Sequence, residues 1–274
     1  MTELLLGQEV RLWADSHNIP IEYFETCPST NDIAKAESFS PKLAQVPFKL
    51  YVTDLQTAGR GRGSHSWHCP KPGQQILMTW SFQLADVPLP TLSPRIGLAL
   101  WNAVSTTWAA LPWGLKPPND LYLGPQKIAG ILLENVIQGD ATQGGVRTLI
   151  GLGMNILSSP QNLPTSTSLA AGISVRLPSG SPLLSEDIFC FLDRLSLEIT
   201  QAISVSTEVL STTDQSNLLW ALNRFSENIS ENTAQINAGN SSGNRERNAI
   251  QKYTQITEDG TLWQGAQKTS WMEI

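Results

Sequence analysis

The stretch Gln56-Thr57-Ala58-Gly59-Arg60-Gly61-Arg62-Gly63 alternates glycine with arginine directly after an apolar, strand-like run at 48–55. Glycine lets the backbone adopt positive φ and approach a ligand closely, so that main-chain N–H groups can point at negative charge. Arginine adds a planar fork of donors. The pattern predicts an anion-binding loop. The alternative is a solvated turn or a fragment of an arginine-glycine RNA-binding tail, although such tails are repetitive and lack hydrophobic flanks.

Four further segments accompany this loop along the chain. They are Cys27-Pro28-Ser29-Thr30-Asn31-Asp32, Lys116-Pro117-Pro118-Asn119-Asp120, Gln126-Lys127-Ile128-Ala129-Gly130-Ile131-Leu132-Leu133-Glu134 and Gly151-Leu152-Gly153-Met154-Asn155. In identity, order and spacing, the five motifs resemble the catalytic domain of biotin protein ligases. These enzymes adenylate biotin and pass it to a lysine of a carboxylase carrier domain. The resemblance runs from about Tyr23 to Ile156 and weakens through Ile203.

The order of strands and helices predicts an α+β fold. Predicted strands lie at 21–25, 48–55, 75–84, 121–123, 128–137 and 146–154, and predicted helices begin at Ser29 and span 93–111 and 186–205. Hairpins join several strands directly, one of them Gly-rich around 139–145, and helices gather between groups of strands. This arrangement predicts a mixed, mostly antiparallel sheet with packed helices. The resemblance implies the same fold, that of the biotin and lipoate ligase catalytic domain, which is similar to class II synthetases.

Composition along the chain of 274 residues predicts three parts. Residues 1–222 are expected to form the catalytic domain, 223–248 an Asn- and Ser-rich flexible linker, and 249–274 a reduced β appendage. The linker segment nearly lacks apolar residues and so cannot offset the entropy of ordering. The sequence of the appendage predicts one hairpin that turns at Asp259-Gly260. This gives about two strands, whereas the resembled family has a small barrel-like domain of several strands.

Charge and hydropathy exclude several classes of protein. A net charge of −6 and a pI near 5.1 argue against a nucleic-acid partner, because nucleic-acid binding relies on a basic face. Residues 1–20 predict at most a short helix, too little for a DNA-binding module, so the resemblance is to monofunctional ligases. No apolar run approaches the roughly 20 residues of a membrane span. We therefore expect a cytoplasmic protein, monomeric or homodimeric, without a membrane partner.

The chemistry implied by the resemblance requires fixed positive charge. Attack of the biotin carboxylate on the α-phosphorus of ATP brings two anions together, and cations must offset their repulsion. The resemblance implies that Arg62, Lys127, Lys116 and Asp120 are the catalytic residues, with Arg62 and Lys127 as stabilisers of this transition state. It also implies that Asp120 receives the ammonium of the acceptor lysine. Mg²⁺ is expected to be held through the ATP phosphates, and no protein ligand is assigned to it.

Biotin combines a neutral ureido ring with an apolar body, so its pocket is expected to pair a few placed donors and acceptors with apolar walls. The biotin-binding residues implied by the resemblance are Ser29, Thr30, Asn31, Gln56, Gly59, Arg60, Gly61, Arg62, Lys127 and Gly130. The ATP-binding residues implied in the same way are Arg62, Trp67, Lys116, Asn119, Lys127 and Asn155. Three of these have ordinary structural alternatives: Ser29 as a helix cap, Gln56 as a loop residue and Trp67 as a core tryptophan.

Two positions depart from the resembled pattern. Pro117 stands where tryptophan is usual, and Gly63-Ser64-His65-Ser66 replaces a second arginine-rich step before Trp67. With the reduced C-terminal segment, these departures leave a non-catalytic biotin-binding protein as an alternative function. A lipoate or octanoate ligase of the same superfamily, which would share the Lys127 chemistry, is a second alternative. A metal cluster of His65, His68 and Cys69 is a further alternative, although no fourth ligand stands at a paired spacing.

Overall fold

The computed structural model describes residues 5–43, 46–138, 145–160, 165–169, 171, 183–239 and 252–273. Its α-helices are α1 (Leu6–Ser16), α2 (Thr30–Glu37), α3 (Leu92–Thr107), α4 (Ser185–Ser204) and α5 (Thr212–Gly239). Its strands are β1 (Ile21–Cys27), β2 (Phe48–Gln56), β3 (Gln75–Leu84), β4 (Trp113–Lys116), β5 (Asp120–Leu123), β6 (Gln126–Ile137), β7 (Val146–Asn155), β8 (Gln255–Ile256), β9 (Thr261–Gln264) and β10 (Gln267–Ser270). Short 3₁₀ turns cover Pro41–Leu43 and Trp271–Glu273.

The chain divides into two compact units. The first unit contains Met1–Pro88 and Ile128–Arg194, and the second contains Leu89–Lys127 and Leu195–Ile274. In the first unit the strands lie in the order β1-β2-β3-β7-β6. Strand β1 runs parallel to β2, whereas β2, β3, β7 and β6 pair antiparallel with their neighbours. The predicted α+β class and the mixed, mostly antiparallel sheet are confirmed.

The two faces of this sheet are covered by different helices. Successive side chains of a strand point to opposite faces, so Tyr51 and Asp54 of β2 lie on opposite sides. Tyr51 packs with Ala34 of α2. The Asp54 carboxylate accepts a 2.9 Å hydrogen bond from the Gly7 N–H in the first turn of α1. The α2 face is the one that carries most of the predicted site residues of this unit.

Four predictions on local structure need correction or lie outside the described residues. Helix α3 ends at Thr107, not at 111, and the unpredicted strand β4 follows. The Trp113 indole N–H donates to the Trp108 carbonyl over 2.9 Å and satisfies an acceptor at the end of this helix. The Gly-rich turn predicted around 139–145 lies mostly outside the described residues, although β6 and β7 pair antiparallel on either side of it.

The flexible linker predicted at 223–248 is wrong for its first part, because α5 continues through that segment to Gly239. Phe225 packs so closely on β4 that a Cβ on Gly114 would lie 2.7 Å from its Cα. The Asn223 side chain exchanges two hydrogen bonds with the backbone of Tyr253, of 2.9 and 3.0 Å. These contacts in the second unit supply the ordering energy that composition alone did not indicate. The boundaries proposed for the three parts stay predictions.

The C-terminal segment forms three antiparallel strands in the order β10-β9-β8, where the sequence predicted about two. The predicted turn at Asp259-Gly260 is confirmed, and Gly260 adopts φ +84°. The third strand, β10, is short and polar, so periodicity gave no signal for it. Across the described residues, no helix combines the length and the apolar character that crossing a membrane requires.

Candidate active site

The predicted anion loop is a small, tightly closed hairpin at residues 59–67, which we call the Gly-Arg loop. The Trp67 N–H donates to the Gly59 carbonyl over 2.9 Å, and the Gly61 N–H donates to the His65 carbonyl over 2.8 Å. A Cβ on Gly59 would lie 2.6 Å from the Trp67 carbonyl oxygen, so no other residue fits there without a shift of backbone. The Gly61 amide is engaged within the loop, whereas the sequence predicted that it faces an anion.

Arg60 fastens the Gly-Arg loop to the sheet face. Its guanidinium donates to the Asp32 carboxylate over 2.5 Å and to the two oxygens of Glu134 over 2.9 and 3.2 Å. Bidentate pairing of this kind fixes geometry as well as charge. The hydrogen bond to Glu134 raises the pKa of Arg60 above its ordinary value. Arg60, predicted to meet biotin, is thus placed as an anchor between α2 and β6.

Glu134 is the acceptor at the centre of this anchor. Its side chain is only 16% exposed. Burial alone would raise the pKa of the Glu134 carboxyl, but hydrogen bonds from Asn31 and Arg60 outweigh burial and hold that pKa below its ordinary value. The carboxylate is therefore ionised at neutral pH and joins Asn31 to Arg60.

The start of α2 supplies a buried polar floor. Ser29 caps the helix, because its Oγ accepts from the Asp32 N–H over 3.4 Å, as the capping pattern predicted. Thr30 and Asn31, both 3% exposed, follow in the first turn. The Thr30 N–H donates to Gln56 Oε1 over 2.9 Å. The structure thus brings Ser29, Thr30, Asn31 and Gln56 together at one place.

Thr79 of β3 lies beneath this floor and was not predicted from the sequence. Its hydroxyl donates to Asn31 Oδ1 over 2.6 Å and lies 2.8 Å from Thr30 Oγ1. The Asn31 amide in turn donates to Glu134 over 2.9 Å. A continuous chain of hydrogen bonds therefore runs from the polar floor to the anchor of the Gly-Arg loop.

Glycines on β6 and β7 make room for this arrangement. A Cβ on Gly151 would lie 2.2 Å from Asn31 Oδ1, and a Cβ on Gly153 would lie 2.5 Å from the indole of Trp67. Gly130 pairs directly with Gly153, so the two residues leave a side-chain-free patch on this face. The Gly-Leu-Gly motif is explained by these two close approaches. Trp67 thus packs on a glycine surface, and its predicted contact with the adenine stays a prediction.

Gln75, fully buried at the start of β3, ties Trp67 to Asn155. The Trp67 indole N–H lies 3.4 Å from Gln75 Oε1, to which it donates. The Gln75 amide donates to Asn155 Oδ1 over 2.6 Å, and Asn155 Nδ2 donates to the Thr167 carbonyl over 3.0 Å. Both ends of the Asn155 amide are thus engaged by protein, and its predicted contact with phosphate stays a prediction.

Arg62 lies in the Gly-Arg loop of the first unit, where it is half-buried and its carbonyl accepts from the His65 N–H over 3.2 Å. Its predicted contacts with biotin and phosphate stay predictions.

The other predicted residues belong to the second unit. Lys127 and Asp120 form an ion pair of 2.6 Å, with Asp120 19% exposed. Exposed Lys116, at the end of β4, places its ammonium 5.6 Å from the centre of the Tyr122 ring, within cation–π range. Asn119 lies next to Asp120 in the β4–β5 loop, after a cis peptide between Pro117 and Pro118. The structure therefore brings Lys127 and Asp120 into contact, which spacing alone did not show.

Sequence reasoning missed Glu134, Thr79 and Gln75 as parts of the site. Glu134 ends a motif that was recognised, but its role depends on a partner 74 positions away. Strand parity places Thr79 opposite Gly151, a relation visible only once the register is known. Within the described part of the chain, no three His, Cys, Asp or Glu side chains are grouped so as to hold a metal ion.

Comparison with known proteins supplies the family context. Residues 23–155 match the biotin/lipoate A/B protein ligase family. The bifunctional ligase/repressor BirA of Bacillus subtilis is 30% identical over 155 residues, which cover 53% of this chain and 45% of that protein. The biotin--[acetyl-CoA-carboxylase] ligase of Mycobacterium tuberculosis is 33% identical over 132 residues, 46% of each chain. The chain thus spans about half the length of these relatives.

A solved structure extends the likeness beyond the matched segment. The biotin protein ligase from Aquifex aeolicus in complex with biotin and ATP superimposes with a TM-score of 0.56 and 20% sequence identity. The match covers 89% of this chain and 90% of that one. At this identity the likeness establishes the fold, which is that of biotin protein ligases.

Proposed function

Because residues 23–155 form a domain of the biotin/lipoate A/B protein ligase family, we propose that the chain is an ATP-dependent biotin protein ligase. In the first step the biotin carboxylate attacks the α-phosphorus of ATP and pyrophosphate leaves, which gives biotinyl-5′-AMP. In the second step the ε-amine of a carrier-domain lysine attacks the acyl carbon and AMP leaves. The names of the relatives from Bacillus subtilis and Mycobacterium tuberculosis support this reaction.

The observation that supports biotin most directly is the buried polar floor at the start of α2. Ser29, Thr30 and Asn31 are at most 3% exposed, and Gln56 reaches the same point. A ureido ring offers both donors and acceptors that can join this hydrogen-bond network, whereas the apolar tail of lipoate or octanoate offers none. Sites built to hydrogen-bond a ligand reject analogues that lack the matching groups by large factors. This difference favours biotin over the acids of the sister enzymes.

The ion pair of Lys127 and Asp120 in the second unit suits the two steps of the reaction. Lys127 supplies a cation for the carboxylate and α-phosphate as charge develops. An anion that binds Lys127 competes with Asp120 for its ammonium, and Asp120 then becomes an acceptor for the ammonium of the incoming carrier lysine. We assign Arg62, Lys116 and Asn119 to the ATP phosphates, which carry Mg²⁺, and Trp67 to the adenine.

The test is acid-dependent exchange between ATP and pyrophosphate on the purified chain with Mg²⁺, comparing biotin, lipoate and octanoate. We expect exchange with biotin alone. Exchange with lipoate or octanoate would assign the chain to the sister activity. Biotin binding in calorimetry without exchange would establish the non-catalytic alternative. Transfer is then measured with a biotin carboxyl carrier domain as acceptor.

The other expectations stay predictions. They are a carboxylase carrier domain as partner, the absence of a nucleic-acid partner, a monomeric or homodimeric state and a cytoplasmic location. A net charge of −6 supports the second of these.

A further inference from the structure

The C-terminal 3₁₀ turn, Trp271–Glu273, inserts the Trp271 side chain into the second unit. The Trp271 side chain is buried, with the residue 2% exposed, and the Trp271 backbone N–H donates to the Gly260 carbonyl over 3.3 Å. A Cβ on Gly97 of α3 would lie 3.7 Å from the Trp271 ring, so the indole fills the space above that helix. The turn is thus held between the C-terminal sheet and α3.

The polar end of the same indole reaches the β4–β5 loop. Trp271 Nε1 donates to the carbonyl oxygen of Pro118 over 2.7 Å. Pro117 and Pro118 have no N–H, so this loop forms fewer backbone hydrogen bonds of its own than an ordinary turn. The Trp271 indole therefore gives the Pro118 carbonyl a donor from outside the loop.

We propose that Trp271 is a positioning residue for the adenylation reaction. It holds the loop on which Asn119 and Asp120 directly follow Pro118, and Asp120 holds Lys127 through the 2.6 Å ion pair. The proposal rests on the proposed function. It gives the C-terminal segment a role in catalysis, because the 3₁₀ turn that follows β10 carries the donor to the loop.

The chain offers a matched pair of substitutions. Trp271→Phe keeps an aromatic ring and removes the N–H, and Trp263→Phe makes the same change in β9 of the C-terminal sheet that precedes the turn. Among the described residues, the Trp263 indole N–H has no hydrogen-bond partner. Both variants lose the same ring atoms, from a buried position at 271 and a half-buried one at 263, and Trp271→Phe also removes the bond to Pro118.

The measurement is biotin-dependent exchange of ATP and pyrophosphate, with kcat and KM for ATP determined separately. Calorimetric titration with biotin gives the active fraction and the Kd, and thermal unfolding gives Tm. We expect Trp271→Phe to lower kcat by about 10- to 100-fold, the scale of effect for a slightly misplaced reacting group. Biotin Kd is expected to stay unchanged, and Trp263→Phe is expected to keep the kcat of the wild type.

Each result is decisive. Equal kcat in the Trp271→Phe variant and the wild type overturns the proposal, as does a loss that Trp263→Phe reproduces. No biotin-dependent exchange by the wild type overturns the proposed function instead. If Trp271→Phe does not fold, 3-benzothienylalanine at position 271 keeps the ring size and removes only the N–H, and the same kcat comparison applies.

Discussion

The Gly-Arg loop of the first unit and the Pro-Pro loop of the second unit, residues 117–119, are held in different ways. Arg60 ties the first to Asp32 and Glu134 by charge. A neutral, buried indole donor from Trp271 holds the second. In both loops the anchored residue, Arg60 or Pro118, lies within two residues of a group that we propose to meet the ligand. The loops therefore differ in what disturbs them: the first responds to charge and pH, and the second to shape.

The largest expected effect on the exchange rate comes from removing the Lys127 ammonium of the second unit. Lys127→Ala should lower the exchange rate by about 10²- to 10³-fold, the usual result of losing one preorganised stabiliser of developing charge. Lys268→Ala, an exposed lysine on β10, is the matched control. Exchange at the wild-type rate in Lys127→Ala would remove Lys127 from the proposed mechanism. Unfolding in urea checks that the variant folds, because Asp120 loses its partner.

Gly153→Ala tests the surface beneath Trp67. The new Cβ would lie 2.5 Å from the indole, so the ring must move. Overpacking of this kind costs about 1–3 kcal/mol, and we also expect a higher KM for ATP. Gly145→Ala is the control, since the new Cβ would lie at an ordinary 3.4 Å from the Phe39 ring. Equal unfolding free energies in the two variants would show that Trp67 is not confined by Gly153.

Local pattern predicted much of this architecture. Strand β3 spans the residues that its apolar content indicated, and Ser29 caps α2 as the spacing from Asp32 required. The links that organise the site join distant parts of the chain. Arg60 and Glu134 are 74 positions apart, and Trp271 and Pro118 are 153 apart. These pairs form only through the register of the strands and the topology of the fold, which local sequence periodicity does not encode.

The polar character of 223–239 was misleading for a similar reason. Its few apolar residues are not enough for an isolated helix, yet Phe225 finds a partner in Gly114 of β4. Tertiary contact decided the conformation there, not composition.

Glu134→Gln separates the charged anchor from the rest of the site. The amide keeps the shape of the side chain but leaves Arg60 with Asp32 as its charged partner. Hydrogen bonds to charged groups contribute about 1.5–3 kcal/mol. If part of this energy holds the Gly-Arg loop in the conformation that binds biotin, its loss should raise the biotin Kd about tenfold. Lys35→Gln is the control, because exposed Lys35 lies 3.7 Å from Glu134 and such pairs contribute little. An unchanged biotin Kd in Glu134→Gln would show that the ion pair between Arg60 and Glu134 does not support biotin binding.

The smallest effect, and the sharpest contrast between the two loops, is expected in the pH dependence of stability. The pKa of Glu134 lies below its ordinary value of 4.5 in the folded chain, so its stabilisation is complete above that value and is lost as the pH falls through the folded pKa. Among the described residues, Arg60 and Lys35 form ion pairs with Glu134, and Asp32 pairs with the same Arg60. The difference in unfolding free energy between the wild type and Glu134→Gln should therefore narrow from about pH 7 to about pH 3. The same difference for Trp271→Phe should stay constant over this range, because its bond to Pro118 joins two neutral groups. A parallel decline in both series would mean that the two loops are not held by different forces.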